Sequence, residues 1–484
     1  MTVRTRLAPS PTSSNHSLHV GNVRTGLFAY LYAKKHGGTF YLRIEDSDVA
    51  RNVDGCAQGM LDDLHWLGLS PDEGWGTNNQ PKGPYTQSER AGEYKKAIDY
   101  LLEKGYAYKC VCTPEFMDQQ RASAKEKDPK TPWKYPGTCR NLKTDPNKNY
   151  IVRFKTNTTG ETVVDDLVYG RVVFPHKENF DWVIARGNGN AMYNLAVVLD
   201  DIHHGTTTCI RGADHLLNTP MQMEIYKAMG ANIPTFAHLP MVNGSDGKKM
   251  SKRDNSGMPT NVKDFRALGY SASALINYIA RLSWAHGNKE IFSKDELIEL
   301  FSLEACGKSA GRFDPAKLLA TQYAHMKSEG LVSDQEYIDG VMPFLAKREL
   351  DNPGLGTPED VRNRLKPMLG LVRQRTKTFV EAATELDPVL RGQITIDKDA
   401  EERFLTTDNK NNLHNLGEFL RTVDDWTELS LRNSMNEWLG KTNLTMKEIS
   451  QSIRCATIGK TNGPELFQTI VAIGKERTIE RLSR

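Results

Sequence analysis

Strand, loop, helix, strand, helix is the order written into about the first 90 residues, and no other feature constrains the chain as strongly. Val3 to Ala8 reads as a strand stopped by Pro9 and Pro11, and Val23 to His36 has helical character ending at Gly37 and Gly38. Thr39 to Ile44 (TFYLRI) is then a β-branched and aromatic run of strand length. Strands alternating with helices imply a parallel sheet with crossover helices. The fold expected is therefore α/β and doubly wound, with its ligand at the carboxyl ends of the strands.

The pattern is interrupted and then resumed. Glu89 to Glu103 has helical spacing through Tyr94, Ile98, Leu101 and Leu102, with Gly105 placed as the residue that closes it. Between Tyr106 and Arg186 the texture changes to short strand-like runs (YAYKCVC, YIVRFKT, RVVF, DWVIAR) joined by a polar, Lys- and Pro-rich stretch from Ser123 to Pro146. This is expected to be an inserted β-rich module. From Met192 the alternation returns: a helix over Tyr193 to His203, a strand TTTCIR, and a helix opened by Thr219 as N-cap with Pro220 at its first position. Beyond Lys249 helical periodicity dominates, as in Ala274 to Ser283 and Leu466 to Leu482, and the Pro/Gly cluster DNPGLGTPED (351–360) is expected to separate helical subdomains.

Composition narrows the class. A chain of 484 residues can bury several cores, and 38% hydrophobic with 25% charged residues describes a soluble protein. No apolar run approaches the roughly 20 residues that a bilayer crossing needs, and the start MTVRTRLAPSP has no apolar h-region. Neither a membrane span, nor a secretory leader, nor a transit peptide is expected. Seven cysteines are an odd, sparse set that fits a reducing compartment, where clustered thiols bind metal more often than they pair. The net charge of +3 permits a nucleic-acid partner without requiring one.

Three clusters carry chemistry. In APSPTSSNHSLHVGNVRTG, a loop runs from strand into helix with His19, Gly21 and Asn22 at the helix entry. Free amide donors and the positive end of the helix dipole suit a phosphate there, although an N-capped turn would look the same. In DGKKMSKRD, Lys248, Lys249, Lys252 and Arg253 surround Ser251, which could neutralise a triphosphate or could be a solvated basic loop. Cys110, Cys112 and Cys139, with Tyr135 four residues before the last thiol, make a third cluster of metal-binding character.

Together and in this order, the first two clusters resemble the HIGH and KMSKS signatures of class I aminoacyl-tRNA synthetases. Around them LAPSPT, LHVGNVRTGLF, LRIEDSD, GPYTQSER, YNLAVVLDD, IRGADHLLNTP, HLPMV and GKKMSKR resemble successive blocks of the glutamyl-tRNA synthetase family, and IRCATIGKTNGPELFQTIVAIGKERTIERL resembles the terminal helices of its bacterial members. The resemblance implies a Rossmann-type catalytic domain in two halves (1–88 and 191–245) around an inserted α+β acceptor-stem-binding module (89–190). A stem-contact helical domain with the KMSKR loop (246–325) and an all-α anticodon-binding region (326–484) would follow. It implies a cytoplasmic, monomeric ligase that activates L-glutamate with ATP and Mg²⁺ and attaches it to tRNA(Glu), leaving open whether tRNA(Gln) is charged as well. By the same resemblance Arg6, Ala8, Ser10, Glu45, Tyr193 and Arg211 would bind glutamate, and His19, Gly21, Asn22, Lys249, Ser251 and Lys252 would bind ATP. His19, Lys249 and Lys252 would stabilise the reacting phosphates. A structural Zn²⁺ would sit on Cys110, Cys112 and Cys139, with Tyr135 or water as fourth ligand, since Asn141 is a poor one. Arg375, or failing it Arg373, would read the anticodon.

Some positions depart from the family. SSNHS between Thr12 and Leu18 is longer than the usual link and replaces a common Gly, Asp254 follows KMSKR where His is usual, and KLLATQYAH lacks an expected Trp and Asn. Three rival readings turn on the same residues. A glutaminyl enzyme would end in β-barrels, a truncated homologue would lack the residues beyond KMSKR, and a non-catalytic RNA-binding scaffold would not need His19, Lys249 and Lys252.

Overall fold

The computed structural model describes residues 2–130, 132–142, 148–248, 250, 259–351 and 354–484. The chain divides into two compact units, one of residues 1–263 with 276–315 and the other of 264–275 with 316–484.

The first unit opens as its sequence suggests, with β1 (Arg4–Leu7), α1 (Val20–Lys35), β2 (Thr39–Leu42), α2 (Cys56–Trp66) and β3 (Glu73–Gly74). The strands are parallel in the order β1-β2-β3, with Arg4 opposite Thr39 and Tyr41 opposite Glu73. Helix α1 starts three residues before the apolar periodicity becomes visible because His19 caps it, its Nδ1 accepting from the Gly21 N–H at 3.1 Å.

The middle stretch holds α3 (Ala91–Glu103), β4 (Ala107–Cys110), α4 (Pro114–Lys127), β5 (Ile151–Phe154), β6 (Glu161–Asp166), β7 (Gly170–Pro175) and β8 (Val183–Ala185). Strands β4, β5 and β8 form an antiparallel sheet, while β6 and β7 make a hairpin with Val163 opposite Val173. Helix α4 gives no apolar stripe to read, since only Met117 is buried along it. Its beginning is nonetheless encoded: Thr113 Oγ1 accepts from the Phe116 N–H at 3.3 Å, and Pro114 occupies the first turn.

The alternation resumes with α5 (Tyr193–His204), β9 (Thr208–Gly212), α6 (Thr219–Ala228) and β10 (Thr235–Leu239). Strands β9 and β10 are parallel with Arg211 opposite His238, and β10 also pairs with β6 through Phe236 and Asp166. The sheet order β7-β6-β10-β9 therefore makes a hairpin from the middle stretch the continuation of the second sheet. The seam to the first sheet is closed by the Arg4 N–H donating to Thr207 Oγ1 (2.8 Å) and the Thr207 N–H to the Arg4 carbonyl (3.0 Å). One apolar cluster, with Tyr94, Leu101, Phe154, Val164, Ile184, Leu195, Val198, Ile225 and Phe236, runs through both the middle stretch and the resumed α/β part. Each such side chain stabilises by about 1.5–3 kcal/mol.

One boundary differs from expectation. Thr219 is not the N-cap of α6; it is already helical (φ −60°, ψ −47°), and Asn218 holds the cap position. A 3₁₀ turn over Ala213–Asn218 runs directly into the helix and leaves no extended residue to cap it, so the Thr219 hydroxyl is available for other work.

The second unit is helical. Helices Asp334–Asp351, Pro358–Leu365 and Phe379–Leu390 pack around Tyr337, Val341, Leu345, Leu355, Leu365, Phe379 and Leu386. A second core joins helices Thr407–Arg421, Glu428–Thr442 and Met446–Ile458 through Leu416, Leu420, Met435, Trp438, Ile453 and Phe467. DNPGLGTPED is accordingly not a boundary: Leu355 lies in the first core, between two helices of that same core. Nor is Leu466 to Leu482 one helix, because Gly474 at φ 90° divides it into Leu466–Ile473 and Lys475–Leu482. Among the described residues no helix is long and apolar enough to cross a membrane.

Candidate active site

At the carboxyl ends of β1 and β9 lies a cavity of about 630 Å³. Its lining brings together Arg6, Ala8, Ser10, Glu45, Tyr193 and Arg211 with His19, Gly21 and Asn22, which are sequence-selected residues from four separate segments. Met250 also reaches it, whereas Lys249, Ser251 and Lys252 lie outside the described residues. Because His19 Nδ1 accepts from Gly21, the ring proton of the neutral imidazole belongs on Nε2.

The long link before α1 is folded against α2. His16 adopts a left-handed backbone (φ 52°), and its carbonyl packs so closely on Gly59 that a Cβ there would come within 2.0 Å. Ser17 Oγ and the Leu18 N–H both donate to Asp63, at 2.6 and 2.7 Å. The link also brings Thr12, Ser13 and Ser17 to the cavity wall.

Charge is distributed unevenly around this space. Arg6 donates through Nε and Nη2 to Asp201 at 2.5 and 2.8 Å, and Arg43 adds Nη1 to the same carboxylate at 2.7 Å. Burial acts to raise the Asp201 pKa, yet the two guanidiniums outweigh it and hold the carboxyl well below its ordinary range. Arg43 also donates Nη2 to Glu45 at 3.0 Å. For Glu45 burial wins, and its pKa is raised, so an ammonium group beside it would favour its ionised form. Below this layer Asp200 accepts from Gln87 (2.8 Å), Arg90 (2.7 Å) and Tyr94 (2.8 Å).

Arg211 is held differently. It is 5% exposed and donates Nε to His238 Nε2 (3.0 Å), Nη1 to Gln222 Oε1 (2.7 Å) and Nη2 to Thr219 Oγ1 (2.8 Å). These acceptors are neutral, and among the described residues no ion pair is found on this guanidinium. A buried cation without a matching anion is costly unless a ligand supplies one. Tyr193, whose hydroxyl lies 3.1 Å from His215 Nδ1, stands at the same wall.

Away from the cavity, Cys110, Cys112 and Cys139 place their sulfurs within 4.8 Å of one another, and Cys112 and Cys139 are 3.6 Å apart. Tetrahedral Zn–S bonds of about 2.3 Å require sulfurs about 3.8 Å apart, so the donor set fits a metal. Tyr135 Oη is 3.4 Å from Cys110 Sγ and 3.7 Å from Cys112 Sγ, in the place of a fourth donor, and it accepts the Cys139 N–H at 2.9 Å. Burial and the adjoining thiols push the Cys112 thiol up to about 12.

In the helical unit Arg373 is not available to a base. It is buried and donates to the carbonyls of Met326 (3.1 Å) and Val332 (3.0 Å) and to Asp334 (2.8 Å). Arg375, two residues on, is exposed.

The groups that sequence reading passed over are the ones behind the site: Asp201, Thr219, Gln222 and His238. Asp201 carried a signal, since two acids closing the apolar run LAVVLDD on a buried helix must find cations.

Comparison with known proteins gives the family. Residues 2–320 match the tRNA synthetases class I (E and Q) catalytic domain, and residues 336–484 match an anticodon binding domain. The glutamate–tRNA ligase of Geobacter sulfurreducens is 38% identical, with 100% of this chain and 98% of the relative covered. That of Geotalea uraniireducens is 40% identical over the same shares. The crystal structure of a glutamate tRNA ligase from Elizabethkingia meningosepticum in complex with its amino acid superposes with a TM-score of 0.83 at 28% identity, covering 100% of this chain and 98% of that one. The chain belongs to the glutamate–tRNA ligases, class I aminoacyl-tRNA synthetases in which an E-and-Q-type catalytic domain is followed by an anticodon-binding domain.

Proposed function

We propose that the cavity activates L-glutamate with ATP and then transfers the glutamyl group to the 3′-terminal adenosine of tRNA(Glu). The observation that carries this reading is Arg211, a buried guanidinium whose hydrogen-bond partners are all neutral, at the wall of a cavity that also holds Arg6 and Glu45. A dicarboxylic amino acid fits that charge pattern. Its γ-carboxylate meets Arg211 and Tyr193, its α-ammonium meets Glu45, and Arg6, Ala8 and Ser10 fix the α-carboxylate.

The α-carboxylate oxygen attacks the α-phosphorus of ATP. A new P–O bond forms, the bond to the β-phosphate oxygen breaks, and pyrophosphate leaves. The terminal ribose hydroxyl of the tRNA then attacks the glutamyl carbonyl and AMP departs. No protein nucleophile is needed, so the protein's contribution is position and charge. His19 Nε2–H, the amides around Gly21 and Asn22, and the cations Lys249 and Lys252 with Ser251 are assigned to the phosphates. Mg²⁺ bound with ATP would neutralise phosphate charge.

Cys110, Cys112, Cys139 and Tyr135 would hold one Zn²⁺, whose contribution is a cross-link in a small module with little core of its own. The five segments expected from sequence would divide the labour, with 89–190 on the acceptor stem and 326–484 on the anticodon, where Arg375 reads a base. We place the enzyme in the cytoplasm as a monomer. The test is acylation with labelled glutamate and glutamine on tRNA(Glu) and tRNA(Gln), with and without tRNA in the activation step. Glutamate should be attached and glutamine refused; equal use of the two amino acids would remove Arg211 from the role given to it.

A further inference from the structure

Arg211 can only donate, so His238 Nε2, 3.0 Å from Arg211 Nε, must be unprotonated. The other ring nitrogen, Nδ1, lies 2.6 Å from Asp166 Oδ2 and therefore carries the proton. Both side chains are fully buried, and burial lowers the His238 pKa below its ordinary value, which keeps the ring neutral near pH 7. Asp166 is itself fixed, with Oδ1 accepting the N–H groups of Val168 and Tyr169, each at 2.9 Å. It belongs to β6, in the middle stretch, and the single parallel register between Phe236 and Asp166 carries it to β10 beside the site.

We infer that His238 is a positioning residue for Arg211, and that Asp166 sets its tautomer so that Nε2 presents a lone pair to the guanidinium. A guanidinium has five N–H donors. Three are taken, by His238, Gln222 and Thr219, which leaves one on Nη1 and one on Nη2. Those two are what a γ-carboxylate would engage in parallel, and their direction depends on how the plane is rotated about the bond to Nε. The His238 contact on Nε holds the plane against this rotation together with Gln222 on Nη1 and Thr219 on Nη2, and Thr219 Oγ1 itself lies 3.1 Å from His238 Nε2. With the other tautomer, Nε2–H would face Nε–H, and the arginine would be turned away instead of held.

This inference rests on Arg211 being the receptor for the glutamate side chain. It is tested by three variants whose folding is checked first by thermal melting. His238→Gln brings a carbonyl oxygen to the place of Nε2 and should keep the glutamate KM within about threefold of wild type. His238→Asn keeps a donor toward Asp166 but has no acceptor at that place. It should raise the glutamate KM about tenfold to a hundredfold, the usual effect of losing one hydrogen bond to a charged group, and leave the ATP KM unchanged. Asp166→Asn turns an NH₂ toward Nδ1 and drives the proton to Nε2. It should behave like His238→Asn although the imidazole is intact, with the tautomer change visible in the ¹⁵N spectrum of labelled histidine; if this variant does not fold, the two His238 variants decide alone. Wild-type glutamate KM in His238→Asn, or equal rises for glutamate and ATP in both His238 variants, would overturn the positioning role. A wild-type enzyme that fails to attach glutamate would instead overturn the reading of the cavity.

Discussion

Asp201→Asn should cost the first unit more than most single substitutions can. The carboxylate accepts three hydrogen bonds from guanidiniums, two from Arg6 and one from Arg43, and a fourth from Thr206 Oγ1 at 3.2 Å, and is 2% exposed. Arg43 keeps Glu45 and Asp200 after the change, but Arg6 is left with no carboxylate partner among the described residues. Removing one member of a buried ion pair typically destabilises by about 3–5 kcal/mol, and each kcal/mol lowers Tm by about 2–4 °C for a domain of some 200 residues. The melting temperature should therefore fall by about 6–20 °C, and the glutamate KM should rise because Arg6 loses its anchor. The pH dependence has a definite sign. A carboxylate whose folded pKa is depressed stabilises fully above its unfolded value near 4, and loses that contribution progressively as pH falls from there through the lower folded value. The gap between wild type and variant should thus be constant from pH 8 to 5 and narrow below about 4. A variant that melts within about 2 °C of wild type at pH 7 and binds glutamate normally would show that this triad does not support Arg6.

Arg211→Ala should lose most glutamate activity with little change in ATP affinity. The wild type should refuse glutamine by about 10⁴ or more, measured as the ratio of kcat/KM for the two amino acids. Lys252→Ala should slow single-turnover acylation about 100-fold or more, with glutamate binding little changed; near-normal turnover would exclude it from the phosphates. Protein expressed in zinc-replete medium should carry one zinc per chain by elemental analysis, and Cys112→Ser should raise the tRNA KM without abolishing ATP binding. Arg375→Gln should relax the choice between the two tRNAs by about 1–3 kcal/mol, whereas equal weakening on both would make it a phosphate contact.

What the sequence shows and what it hides divide along one physical line. Groups that face the ligand sit in local, recognisable settings: His19 and Gly21 at a helix entry, Glu45 just after a strand, Arg211 at a strand end. Groups that face those groups are distant in the chain, as Asp201 is from Arg6 and Asp166 from His238, and no periodicity links them. The Thr219 hydroxyl was misplaced for the same reason. It looked like a local cap, yet its partners are Arg211 and His238. Helix α4 was hidden because it is polar almost all round, and the break at Gly474 because one glycine does not interrupt an apolar pattern.

The seam between β1 and β9 has a consequence for how the protein is made. The backbone amide of Arg4 is satisfied by Thr207, 203 residues later, and Arg6 meets Asp201 after nearly as long a wait. At about 5–20 residues per second, roughly 10–40 s of synthesis separate a strand from its neighbour. During that time β1 has an open edge and an arginine destined for burial with no carboxylate to meet, so β1, α1 and β2 cannot reach their final state as they emerge. Ribosome-bound chains ending near residue 190 should remain protease-sensitive in these first elements, and protection should appear only when residues beyond about 240 have cleared the exit tunnel.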